Sequence, residues 1–150
     1  MQTGILETPA ILKERRLTNR VQKSWSDCAD GGLPSWDDIQ ELDLGADWRS
    51  CFAVDLSLSD KFPYFIFLGE NLSRLALTYL SDRAHRELTP VDLAVAKMDE
   101  AALSRAPVFH GNMLRLPGKR NILFRSVVLP LSENGEDVTH IFGAASGKGA

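Results

Sequence analysis

Two kinds of spacing divide this chain. Leu17, Val21, Trp25 and Cys28 recur every three or four residues among charged neighbours, which is one apolar stripe on a helix. Thr8-Pro9 supplies a hydroxyl cap and a proline first position, and Gly31-Gly32 supplies a stop, so the spacing predicts an amphipathic helix over 9–32. Residues 51–59, CFAVDLSLS, change to period two. Phe52, Val54, Leu56 and Leu58 share one face and Cys51, Ala53, Asp55 and Ser57 the other, predicting a half-buried strand. After the short break Ser59-Asp60-Lys61, FPYFIFLG predicts an antiparallel return, and its run from Tyr64 to Leu68 predicts cover on both sides.

From Gly69 to Ala106 the period is helical again. Leu72, Leu75, Ala76 and Tyr79 mark one short helix. Thr89-Pro90, with Asp92 three residues after the cap, opens a second, striped by Val91, Val95, Met98 and Ala102 and ended by Pro107. Strands then resume with VFHGNMLRL, a PGKR turn, and a terminal hairpin whose Asn134-Gly135 sits in a six-residue loop from Ser132 to Asp137. The order helix, strand, strand, helices and three strands predicts an α+β chain. Its simplest form is one five-stranded antiparallel sheet with helices on one face, preceded by the amphipathic N-terminal helix, the last strand closing against the first. The expected division is a flexible N-terminus at 1–8, the helix at 9–32, the sheet domain at 33–145 and a disordered tail at 146–150.

A length of 150 residues suits one domain with its own core, and 44% hydrophobic with 25% charged residues excludes a disordered chain. A net charge of -3 argues against general nucleic-acid binding. The charge is uneven: residues 13–23 hold five basic residues against one acid, Glu14, whereas 24–48 hold seven acids and no Lys or Arg. That is either a solvated helix face followed by an acidic loop or a docking surface for a partner. Cys28 and Cys51 form no CxxC pair, and no run of about 18 apolar residues could cross a bilayer, so a soluble cytoplasmic protein is the expectation, with no membrane partner.

Several stretches together resemble a known family. They are the helix ending in Trp25, Gly31-Gly32-Leu33-Pro34, the acidic WDDIQELDL, FIFLGENL with Gly69 opening the helical section, and the closing SVVLPLSENGEDVTHIFGA. Over about residues 20–145 the chain resembles the PAS_5 family of small bacterial regulatory proteins. Residues 72–92 depart from that pattern by lacking its glycine-containing segment, so the loop shape there transfers least. The resemblance implies a PAS fold and a sensory or regulatory module, cytoplasmic and often a homodimer. Such modules hold a small molecule between sheet and helices, or pass conformational change through them. With no output domain after Ala150, the signal would pass to a protein partner.

Candidate chemistry is sparse. His85, His110 and His140 show no metal-ligand spacing, and no residue is assigned a catalytic or metal-binding role. A haem ligand, which PAS domains can carry, would have to be His85 in the helical section, where its charged neighbours favour an exposed turn. Residues 69–106 contain no cysteine for flavin photochemistry, GAASGKG falls short of a phosphate loop, and no GxSxG is present. Phe67, Tyr79, Met98, Met113 and Phe124 are either plain core or the lining of an apolar cavity with Arg125 or Asn112 as its orienting polar group. Arg125 interrupts an apolar strand and so faces either solvent or a buried anion. Leu17, Val21 and Trp25 cover either their own domain or a second copy, and the latter would make them a dimer interface. The alternative class is a small enzyme or ligand carrier on an α+β cone fold, whose mark would be a buried Asp–His pair.

Overall fold

The computed structural model describes residues 16–58, 64–74, 95–115 and 121–149. Five strands, β1 (Cys51–Asp55), β2 (Phe65–Leu68), β3 (Val108–Arg115), β4 (Asn121–Leu131) and β5 (His140–Gly149), form one antiparallel sheet in the order β2-β1-β5-β4-β3. The two strand blocks join where β1 lies along β5, from Cys51 opposite Ala144 to Asp55 opposite His140. The fold is therefore α+β with the single sheet that the patterning predicts.

Helices cover both faces, not one. Alternation along β1, β4 and β5 sends Cys51, Ala53, Val127, Leu129, Leu131, Phe142 and Ala144 to one face, where they pack with Val21 and Trp25 of helix α1 (Leu17–Ala29). Phe52, Val54, Phe124, Val128, Ile141 and Ala145 form the second core on the opposite face, with Leu72 and with Ala101 of helix α3 (Met98–Ser104). The half-buried pattern expected of β1 fails for this reason: a strand between β2 and β5 with both faces roofed buries Cys51 and Ala53 as fully as Phe52 and Val54. β2 errs the other way. It is an edge strand, and Tyr64 and Ile66 are exposed despite the apolar run.

Helix α1 keeps the predicted stripe, with Leu17 and Cys28 partly buried beside Val21 and Trp25. Its proposed start at Thr8-Pro9 lies outside the described residues; the described helix follows an extended Arg16 and ends on left-handed Asp30 and Gly31. The acidic connector folds over the same face. Ser35 caps helix α2 (Trp36–Gln40) in a reciprocal box with Asp38, and a 3-10 turn spans Gly45–Ser50. Trp36 and Trp48 meet the rings of Phe67 and Phe142 at centroid distances of 5.6–6.3 Å, closing the roof over β2, β1 and β5. Part of the charge asymmetry is satisfied internally, because Arg20 of α1 grips Asp47 with two 2.9 Å hydrogen bonds.

The last strand runs further than expected. Residues 146–149 continue β5, pairing with β4 out to Ile122 opposite Gly149, rather than fraying as a tail. The β4–β5 loop is correspondingly longer at its far side, reaching Thr139, and Asn134 organises it by accepting the N–H groups of Glu136 and Asp137. Gly143 lies opposite Phe52, and a Cβ there would meet the Phe52 ring and, at 2.8 Å, the Val127 carbonyl.

Trp25 locks α1 to the sheet. Leu131 turns its carbonyl to Thr139 of the β5 side, so Pro130 presents its own toward the side that β3 does not reach, since β3 pairs no further than Val128. The missing N–H of Pro130 costs no ladder bond there, and its carbonyl accepts the Trp25 indole N–H at 3.0 Å. Trp25→Ala should destabilise the protein by about 3–5 kcal/mol, and Trp25→Phe, which keeps most of the packing, by about 1–3 kcal/mol, in urea unfolding. Gly143→Ala should cost about 1–3 kcal/mol in the same measurement, because ring and carbonyl must both give way.

Candidate functional site

The six expected cavity residues do not line one space. Phe124 is buried in the core under α3, and Met98 packs against that same cluster. Phe67 packs on the opposite face with Trp36 and Trp48, and the register places Met113 (opposite Leu123) and Arg125 on that face too. The sheet lies between the two groups, which corrects the expectation of a shared apolar cavity. Tyr79 and the haem candidate His85 lie outside the described residues, as does the side chain of Asn112. The expected interface residues are also accounted for within the chain: Val21 is fully buried, Trp25 nearly so, and Leu17 packs against the same core. The stripe roofs its own sheet and is not a free surface for a second copy.

Arg125 borders a cleft of about 180 Å³ between the start of α1 and the exposed ends of β3 and β4. Arg16, Thr18 and Asn19 form its upper wall, and Phe109, His110, Gly111, Arg125 and Ser126 its floor. Alternation turns the Phe109 and Arg125 side chains into it and sends those of His110 and Ser126 to the other face, so the latter two contribute backbone. The floor is open because α1 crosses β4 and β5 and stops short of β3. Gly111, directly opposite Arg125, adds no side chain to fill it.

Electrostatically the cleft is one-sided. Among the described residues its lining contains no carboxylate. The first turn of α1 has no acidic residue, and Arg16 gives it no side-chain cap, so none of these residues compensates the positive end of the helix. Among the described residues neither the Arg16 nor the Arg125 side chain has an ion-pair or hydrogen-bond partner. Sequence reading missed Arg16, Thr18 and Gly111, since only the fold brings the helix start over that part of β3.

An Asp–His pair does occur, elsewhere on the same face. Asp55 and His140 are directly opposed in the β1–β5 ladder, His140 Nε2 lies 3.4 Å from Asp55 Oδ2, and both side chains are over four-fifths buried. The surrounding groups are already engaged. Thr139 Oγ1 sits 2.9 Å from His140 Nδ1 and accepts the Glu133 N–H, while Glu133 accepts the Trp36 N–H at the start of α2. Asp55 accepts the Ser57 hydroxyl at 2.6 Å and the Ser57 N–H at 2.9 Å. Desolvation pushes the Asp55 carboxyl up, but the Ser57 hydroxyl and N–H together with His140 outweigh it and hold it below its ordinary value. The cleft lining includes neither Asp55 nor His140. The geometry is that of a pin between strands.

The thiols are poor nucleophiles. Burial, with the Asp47 charge adding to it, pushes Cys51 up to about 12. Burial, reinforced by Asp38, also raises Cys28. Among the described residues no group of three or more His, Cys, Asp or Glu could hold a metal ion, and no helix is long and apolar enough to cross a membrane. No family model matches the chain, and no curated protein matches it significantly.

Because the folded pKa of Asp55 is depressed, the carboxylate's stabilisation is complete above the unfolded value of 3.8 and disappears as pH falls through the lower folded value. Asp55→Asn should therefore be less stable than wild type in urea at pH 7, with the gap narrowing as the pH drops below 3.8. A gap that is the same at pH 7 and pH 2.5 would show that the charge contributes nothing.

Proposed function

We propose that this chain is a PAS-like sensory or regulatory module that acts by homodimerisation and contact with a protein partner rather than by catalysis. The observation that carries this reading is the strand order β2-β1-β5-β4-β3 with a helical section between β2 and β3. That order brings the first and last strands together at the centre of the sheet, so a change at either flanking layer reaches both through one ladder. The helix α1 roof and the α3 side are joined only through that sheet in the described cores.

The dimer surface we assign is β3, the edge strand next to β4, and not the buried stripe of α1. Phe109 is 50% and Met113 49% exposed on the face that α1 leaves uncovered. Exposed apolar side chains on an edge strand favour pairing with another chain. The alternative of a small enzyme on a cone fold needs its acid–base pair inside a cavity, whereas Asp55 and His140 are bonded into the β1–β5 edge of the roof.

Sedimentation velocity of the wild type should show a dimer at micromolar concentration. Phe109→Asp should shift it to monomer, weakening self-association by about tenfold or more, with little change in melting temperature. Val21→Asp should instead lower the melting temperature through its buried site. A wild type that stays monomeric at high concentration would overturn the dimer reading.

A further inference from the structure

We infer that the cleft at the start of α1 binds a small oxyanion, of the size of phosphate or of the phosphate end of a small phosphomonoester. Two independent observations meet there. The first is the uncapped N-terminus of a 13-residue helix, whose leading N–H groups lack intrahelical acceptors and whose dipole favours negative charge. The second is Thr18. It lies on the sheet-facing side of α1 with Val21 and Trp25, is 4% exposed, borders the cleft, and its hydroxyl has no hydrogen-bond partner among the described residues. A buried hydroxyl without a partner is costly, and a bound oxygen would satisfy it.

The remaining chemistry agrees in sign and size. Arg16 on the helix side and Arg125 on β4 both border the cleft, and no carboxylate among the described residues neutralises either. Guanidinium groups, backbone N–H groups and a hydroxyl are the donor set that oxyanions take. Gly111 opposite Arg125 keeps the floor bare. A volume of about 180 Å³ falls below the roughly 300 Å³ at which sites for drug-sized ligands begin, which suits an anion of a few heavy atoms. The site lies on the α1 face, away from the core beneath α3, and does not rest on the PAS-like reading; it shares Phe109 with the assigned dimer surface, so the arginine variants, which keep Phe109, separate anion binding from dimer formation.

The test uses the whole chain with inorganic phosphate, sulfate and succinate, each against sodium chloride at matched ionic strength. Phosphate should raise the melting temperature saturably where chloride does not, and should shift the amide NMR signals of Leu17, Thr18, Asn19 and Gly111. Arg125→Gln, and separately Arg16→Gln at the exposed helix start, should each weaken phosphate binding by about tenfold or more. Thr18→Val should also weaken it, whereas Arg49→Gln, an exposed charge outside the cleft, should not. Absence of a saturable phosphate effect, or an effect unchanged in both arginine variants, would overturn the inference. Tighter binding of succinate than of phosphate would overturn the assignment to a tetrahedral anion.

Discussion

The indole of Trp25 on the carbonyl of Pro130 is the point at which the N-terminal layer is committed to the sheet. Each partner is there because of a gap left by the other elements. β3 ends before it can pair with Pro130, so a proline is tolerated in an otherwise central strand and its carbonyl is left for a side chain. The bond is buried and joins residues 105 positions apart, so it fixes where α1 lies, not merely that it is helical. From that placement follow the roofing of Cys51 and Phe142, the position of Asp47 opposite Arg20, and the stretch of β3 that α1 leaves open.

Element types were readable in the sequence wherever one period dominated. The stripe of α1, the alternation at Cys51–Val54 and the antiparallel terminal hairpin all rest on local spacing, and all are present. Face assignment was not readable in the same way. Whether Cys51 and Ala53 are exposed depends on a helix more than twenty residues earlier, and small residues are neutral on the question. Tyr64 and Ile66 illustrate the converse, because an apolar residue on an edge strand reads the same as one at the centre. The Gly- and Ala-rich end of β5 looked like a frayed tail for a related reason. Small residues carry weak strand propensity, and only the register with Ile122–Arg125 of β4 shows residues 146–149 to be paired.

The candidate site was legible in one residue only. Arg125 stood out because a charge in an apolar strand needs an explanation, and solvent or an anion were the two available. Its partners across the cleft come from a helix start and from a glycine on the neighbouring strand, positions that carry no mark until the register is known. Charge asymmetry was a weaker guide than it looked. Part of the basic helix and part of the acidic connector neutralise each other through Arg20 and Asp47, while Arg16, among the described residues of that basic run, borders the cleft.

The adjacency of β1 and β5 also constrains how the polypeptide is made. The ladder from Cys51 to Asp55 finds its second neighbour only in residues 140–144. On a ribosome, β1 and β2 must therefore wait, one edge unsatisfied, until residues 140–144 are synthesised. During that interval the apolar β1 hairpin is a target for chaperones and for misassociation, and the sheet closes only once β5 has emerged.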